Sequence, residues 1–145
     1  MKIFIGADHA GFKLKQVLKK YLTTLGVRYE DLGNLKFDPG DDYPDFAKRL
    51  AQQVSQTKNA RGILICDSGI GVCIVANKVK NIRAANVDTL KLAKKSREHN
   101  NANVLCLGQD YLKTAQAKKI VNVWLSTKFS SVARHRRRVN KINKL

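Results

Sequence analysis

Cys66 ends the apolar run Ile63-Leu64-Ile65 and is followed by Asp67-Ser68-Gly69-Ile70-Gly71 and an apolar, alanine-containing segment reaching Lys78. Such a run reads as a buried strand, the two glycines as a tight turn, and the rest as the start of a helix. A strand-loop-helix leaves several backbone N–H groups unpaired and aimed at one point, which suits an anion or a developing oxyanion. The same N–H groups can hold a thiolate at Cys66. Two histidines add acid–base chemistry: His9 lies between Asp8 and Gly11, and His99 sits between Arg97-Glu98 and Asn100. In Arg134-His135-Arg136-Arg137-Arg138, Arg134 and Arg138 are four apart on one helical face, so both guanidinium groups can reach one anion. A thiolate base, an oxyanion loop, a histidine acid and a phosphate clamp fit proton abstraction beside a carbonyl of a phosphorylated metabolite.

These residues need a frame. Lys2 to Ala7 reads as a strand ending in Asp8-His9-Ala10-Gly11, and Phe12, Leu14, Val17, Leu18, Tyr21, Leu22 and Leu25 follow at helical spacing up to Gly26. A second strand over 27–32 and a polar loop over 33–42 lead to a helix running to about Gln56, with Pro44 in its first turn. The central unit is a strand over 61–65, the Cys66 loop and a helix to about Lys78. A fourth strand covers 81–87, Asp88 caps a helix over 89–98, and a fifth strand over 103–107 is closed by Gly108. Helices over about 111–125 and after Ser130 complete the chain. Strand and helix alternate throughout, so the spacing predicts one domain over 1–145: a Rossmann-like three-layer α/β sandwich with a five-stranded parallel sheet and a C-terminal helical extension. Ligands of such sheets bind beyond the carboxyl ends of the strands. Asp8-His9, Cys66-Asp67-Ser68 and His99-Asn100 are expected to gather at that one edge.

Composition bounds the alternatives. At 145 residues with 43% apolar side chains and a mean hydropathy of −0.34, the chain fits a soluble globular protein. No apolar run approaches the roughly 20 residues of a membrane span, and the N-terminus lacks the apolar region of a signal peptide. A cytosolic location is therefore expected. Cys66, Cys73 and Cys106 are an odd number without metal-ligand spacing, which argues against a disulfide framework or a zinc site. In Gly69-Ile70-Gly71-Val72-Cys73-Ile74, isoleucine replaces the third glycine of a dinucleotide fingerprint, and no phosphate-loop lysine follows. The net charge of +17, with seven Lys or Arg and no acid from Lys128 to Lys144, raises nucleic acid as a partner. The tail, however, has few interleaved aromatic residues.

Several ordered motifs together are more specific. Gly6-Ala7-Asp8-His9-Ala10-Gly11, Asp42-Tyr43-Pro44-Asp45, Cys66-x-Ser68-Gly69-x-Gly71, Ile74-x-Ala76-Asn77-Lys78, Arg83-Ala84-Ala85, Ser96-Arg97-Glu98-His99-Asn100-x-Ala102-Asn103-Val104-Leu105 and Arg134-His135-x-x-Arg138 follow in order over nearly the whole chain. In these the chain resembles the ribose-5-phosphate isomerase B family, which includes the galactose-6-phosphate isomerase subunits. The resemblance implies interconversion of ribose 5-phosphate and ribulose 5-phosphate, a step of the pentose phosphate pathway, without metal or organic cofactor. It implies Cys66 as the base between C1 and C2, with Ser68 and the backbone from Asp67 through Gly69 and Ile70 to Gly71 stabilising the enediolate. His99 would assist ring opening. Asn100, Asp8, His9 and Tyr43 would contact the sugar, and Arg134 and Arg138 the phosphate. It also implies a homodimer or homotetramer whose sites combine residues of two subunits.

Two positions depart from the family pattern. Asp67 stands where glycine is usual, and a carboxylate beside a thiolate opposes the helix-end effect unless it points away. Asp110 stands where many relatives have an arginine, which removes one arm of the phosphate clamp unless Arg136 or Arg137 replaces it. Two other readings stay open: an isomerase of a six-carbon aldose phosphate (allose or galactose 6-phosphate), and a nucleic-acid-binding protein on an inactive isomerase fold.

Overall fold

The computed structural model describes all residues, Met1–Leu145. Strands β1 (Lys2–Ala7), β2 (Tyr29–Asp31), β3 (Ala60–Cys66), β4 (Ala84–Asn86) and β5 (Val104–Gly108) form one parallel sheet in the order β2-β1-β3-β5-β4. Helices α1 (Phe12–Thr24), α2 (Tyr43–Gln56), α3 (Ile70–Ala76), α4 (Leu90–Glu98) and α5 (Thr114–Ser126) connect or flank the strands, and α6 (Ala133–Ile142) ends the chain. This is the expected α/β architecture.

The central strands β1, β3 and β5 are covered on both faces, which is why they read as unbroken apolar runs. Alternate side chains point to opposite faces. Ile3, Ile5, Ile63, Ile65, Leu105 and Leu107 pack under α1, α4 and α5, with Trp124 fully buried among them. Phe4, Leu64, Cys66, Val104 and Cys106 pack under α2 and α3, against Leu50, Val54 and Val72. Cys66 thus belongs to the core by its packing and to the strand end by its position.

Four local expectations need correction. The cap of α4 is Thr89, whose hydroxyl accepts from the Leu92 N–H at 3.2 Å, rather than Asp88 one residue earlier. Gly108 lies inside β5 instead of closing it, because its N–H and C=O stay in register opposite Cys66. Helix α5 begins at Thr114, after a short 3₁₀ turn over Gln109–Tyr111. The fourth concerns position: α4 runs back along the sheet, so His99 and Asn100, which precede β5, lie at the amino-terminal edge. Cys66 ends β3 at the other edge. Seven residues of β3 span roughly 20 Å, so these groups are not gathered at one edge within a single chain.

Candidate active site

The Cys66 loop has the geometry expected for a thiolate. The Gly69 N–H donates to Cys66 Sγ at 3.1 Å. Ser68 Oγ accepts from the Ile70 N–H at 3.3 Å and so closes the first turn of α3. The backbone N–H groups of Asp67 and Ser68 donate to no protein acceptor. Gly69 permits this turn because its φ is 77° and because a Cβ there would come within 2.4 Å of Asn86 Oδ1. Gly71 serves a different need: a Cβ there would lie 2.7 Å from the ring of Tyr43. That close approach brings Tyr43, at the start of α2, onto the loop. A cavity of about 290 Å³ opens beside Ser68, lined also by Ile70, Asn86, Asp88 and Tyr111.

Asp8 and His9 follow β1 at the same edge. The Asp8 carboxylate accepts from the Gly11 N–H at 3.0 Å, and burial pushes its pKa up. The sequence reading missed the partner of His9. Asp41 Oδ1 accepts from His9 Nδ1 at 2.7 Å and from the His9 backbone N–H at 2.9 Å. Its other oxygen accepts from Asn34 Nδ2. The hydrogen bond to Asp41 raises the His9 pKa above 6.5 and leaves Nε2 as the outward nitrogen. Asp41 sits in the polar stretch Gly40-Asp41-Asp42 ahead of the helix, and the only signal for it was an acid close to a motif. Ligand atoms of Asp8, His9 and Asp41 lie within 4.8 Å of one another, the one such group of three in the chain. With His9 Nδ1 already held by Asp41, the set has the form of an oriented imidazole rather than an open metal cage.

The remaining candidates form a second cluster at the opposite edge. The rings of His99 and His135 lie 4.3 Å apart, and Glu98 Oε2 is 3.9 Å from His99 Nε2. The Ser130 N–H donates to the Glu98 carbonyl at 3.0 Å, which ties the segment before α6 to the end of α4. Burial, then the charges of His99, Arg134 and Arg138, hold the His135 pKa below 6.5. Asn100, Arg134 and Arg138 are exposed at this edge, as are Arg136 and Arg137. One chain therefore carries two separate clusters of candidate residues, one around Cys66 and one around His99.

The two departures from the motif pattern meet in space. The Asp110 N–H donates to the Asp67 carbonyl at 3.1 Å, and both residues are exposed. Asp67 is not among the residues with positive φ, so its side chain costs no backbone strain there. All three cysteines are free. Cys73 is half-buried, and a hydrogen bond with Cys106 lowers its pKa to about 7.

Comparison with known proteins adds the following. Residues 3–142 match the family described as Ribose/Galactose Isomerase. The chain is 43% identical to ribose-5-phosphate isomerase B from Mycoplasma genitalium, whose crystal structure holds bound ribulose 5-phosphate. That match has a TM-score of 0.93 and covers 99% of this chain and 94% of the other. Ribose-5-phosphate isomerase B of Clostridium thermocellum is 42% identical with a TM-score of 0.94, over 99% of this chain and 96% of that one. A D-erythrulose-4-phosphate isomerase of Pectobacterium atrosepticum is 41% identical over 132 residues, 89% of this chain and 85% of its own length.

Proposed function

The chain belongs to the ribose/galactose isomerase family, and from that premise we propose that it interconverts ribose 5-phosphate and ribulose 5-phosphate with Cys66 as the base. The observation that carries the assignment is the Gly69 N–H donating to Cys66 Sγ at 3.1 Å, because it pins the sulfur onto the loop that carries the free N–H groups of Asp67 and Ser68. In the open-chain aldose, the Cys66 thiolate removes the C2 proton. The electron pair becomes the C1=C2 bond and the carbonyl oxygen O1 becomes an oxyanion. The free N–H groups of Asp67 and Ser68 are the donors for that oxyanion, each worth about 3–4 kcal/mol of barrier in comparable sites. The proton returns from Cys66 to C1, the O2 hydroxyl proton passes to O1, and C2=O forms, so no atom is gained or lost. His99 assists opening of the furanose ring. Asp8, His9, Tyr43 and Asn100 contact the sugar, and Arg134 and Arg138 hold the phosphate.

On this reading the two clusters are half-sites, and a second copy completes each of them. A two-fold pair that sets the His99 edge of one chain over the Cys66 loop of its partner makes two equivalent complete sites. The exposed apolar side chains Ile70, Ile74, Leu90, Leu92 and Tyr111 around the loop support a covered surface there. Cys66→Ala should abolish exchange of the C2 proton with deuterated solvent while ribulose 5-phosphate binding stays measurable by calorimetry. Cys73→Ala is the control and should keep turnover. Full exchange in Cys66→Ala would remove Cys66 from the role of base.

The family description and the four-carbon substrate in the name of the Pectobacterium relative keep sugar length open. A kcat/KM highest for ribose 5-phosphate among five- and six-carbon phosphates is expected. A preference for allose or galactose 6-phosphate would reassign the substrate and leave the base in place.

A further inference from the structure

The edge of the sheet away from Cys66 holds a cavity of about 490 Å³ at the starts of β3 and β5, lined among others by Arg61, Arg83, Arg97, Asn59, Asn101 and Asn103. No acidic residue lines it, and none of the three arginines joins an ion pair. Each guanidinium spends part of its donor set on neutral acceptors. Arg61 Nη1 donates to the carbonyls of Trp124 at 3.2 Å and Leu125 at 3.0 Å. Arg83 Nε donates to the Asn101 carbonyl at 3.0 Å, and its Nη1 to Asn143 Oδ1 at 2.7 Å. Arg97 Nη1 donates to Asn101 Oδ1 at 2.9 Å and to the Ala102 carbonyl at 2.6 Å. The Nη2 group of each arginine donates to no protein acceptor. Arg97 is only 5% exposed, and its Nε is buried without a partner.

Burial lowers the pKa of all three arginines, and the charges of Arg61 and Arg83 help bring Arg97 down to about 10. A buried charge without a counter-ion is costly, and here buried Arg97 shares one cavity with the half-buried Arg61 and Arg83. Planar guanidinium forks with free donors match the oxygens of a phosphate group. We propose that Arg61, Arg83 and Arg97 bind a phosphate dianion, free or carried on a small metabolite, in a site separated from the Cys66 loop by the length of the sheet. The asparagines at its rim supply amide groups for the remaining oxygens.

Calorimetric titration of the full-length protein with inorganic phosphate tests this, with glycerol 3-phosphate in a parallel arm. Two phosphate sites per chain are expected. Arg134→Ala with Arg138→Ala removes only the sugar-phosphate clamp, so failure of that assignment is read separately. Arg83→Gln should weaken the second site at least tenfold and leave turnover unchanged. Because Arg83 also holds Asn101 and Asn143, Arg61→Gln gives the same reading should Arg83→Gln melt early. Equal affinity in the two arms identifies the free ion as sufficient; tighter binding of glycerol 3-phosphate identifies a phosphorylated metabolite. A single site per chain in the wild type, or a second site unchanged in both variants, would overturn the proposal. So would a single site combined with a changed oligomer mass in Arg83→Gln, which would mean that a neighbouring subunit's carboxylate fills the cavity.

Discussion

At the scale of single residues, the loop after β3 holds the Cys66 sulfur with a backbone donor. Gly69 turns its N–H onto sulfur, and only a residue without Cβ fits between Asn86 and the β5 backbone. Cys66, Ser68, Gly69 and Gly71 were legible because a reactive residue and two glycines stand at fixed offsets after an apolar run. Asp41 was not, since its contact with His9 spans 32 residues through a polar loop without periodicity. This pair carries a testable pH dependence. The His9 pKa is raised above 6.5, so the charged pair is intact below that value and is lost as pH rises through the raised pKa. In Asp41→Asn the NMR titration midpoint of His9 should fall toward its ordinary value. Loosening an orienting contact by about 1 Å can cost about 100-fold, so kcat/KM should drop within that bound. An unmoved midpoint would show that Asp41 does not tune His9.

The elements reveal how lysines that look like surface charge in the sequence are used. Lys15 and Lys19 lie on α1, and Lys15 Nζ is fully buried and 2.8 Å from Asp31 Oδ1. Lys19 reaches the other Asp31 oxygen at 2.7 Å. Asp31 ends β2, so this ion triad fastens an edge strand of three residues to the helix before it. Burial pushes the Asp31 pKa up, but the two ammonium groups and the Gly33 N–H outweigh it and bring it below 3.8. The stabilisation is therefore present above pH 3.8 and is lost as pH falls through the lower, folded-state value. Asp31→Asn leaves a buried ammonium unpaired and should cost about 3–5 kcal/mol in urea unfolding. A loss within experimental error would mean that β2 is held by its hydrogen bonds to β1 alone. Strand order and helix placement were readable because buried parallel strands leave continuous apolar runs. The pairing of Lys15 was not, because burial of a charge depends on a partner 16 residues away.

For the whole molecule, the division of candidate residues between two edges is the finding that organises the rest. The direction of α4 already implied it: a helix that follows β4 and precedes β5 must run back along the sheet. Reading His99-Asn100 as a strand-end pair placed them at the wrong edge. The net charge of +17 also takes on a clearer form, since 28 basic residues face 11 acids. The exposed arginines of α6 and the trio of buried Arg97 with half-buried Arg61 and Arg83 concentrate part of the excess on one side of the sheet, facing away from the Cys66 loop of the same chain. Under the proposed two-copy arrangement, Arg134 and Arg138 of α6 supply the anion-binding half of each site, and the trio at Arg97 stands apart from it. The most direct test is subunit complementation. Cys66→Ala and His99→Asn chains, each with little turnover alone, are co-expressed with different tags and assayed on ribose 5-phosphate. A shared site predicts recovery of about a quarter of wild-type turnover, because half of random dimers are mixed and each carries one intact site. A mixture no more active than its parents would contradict the account.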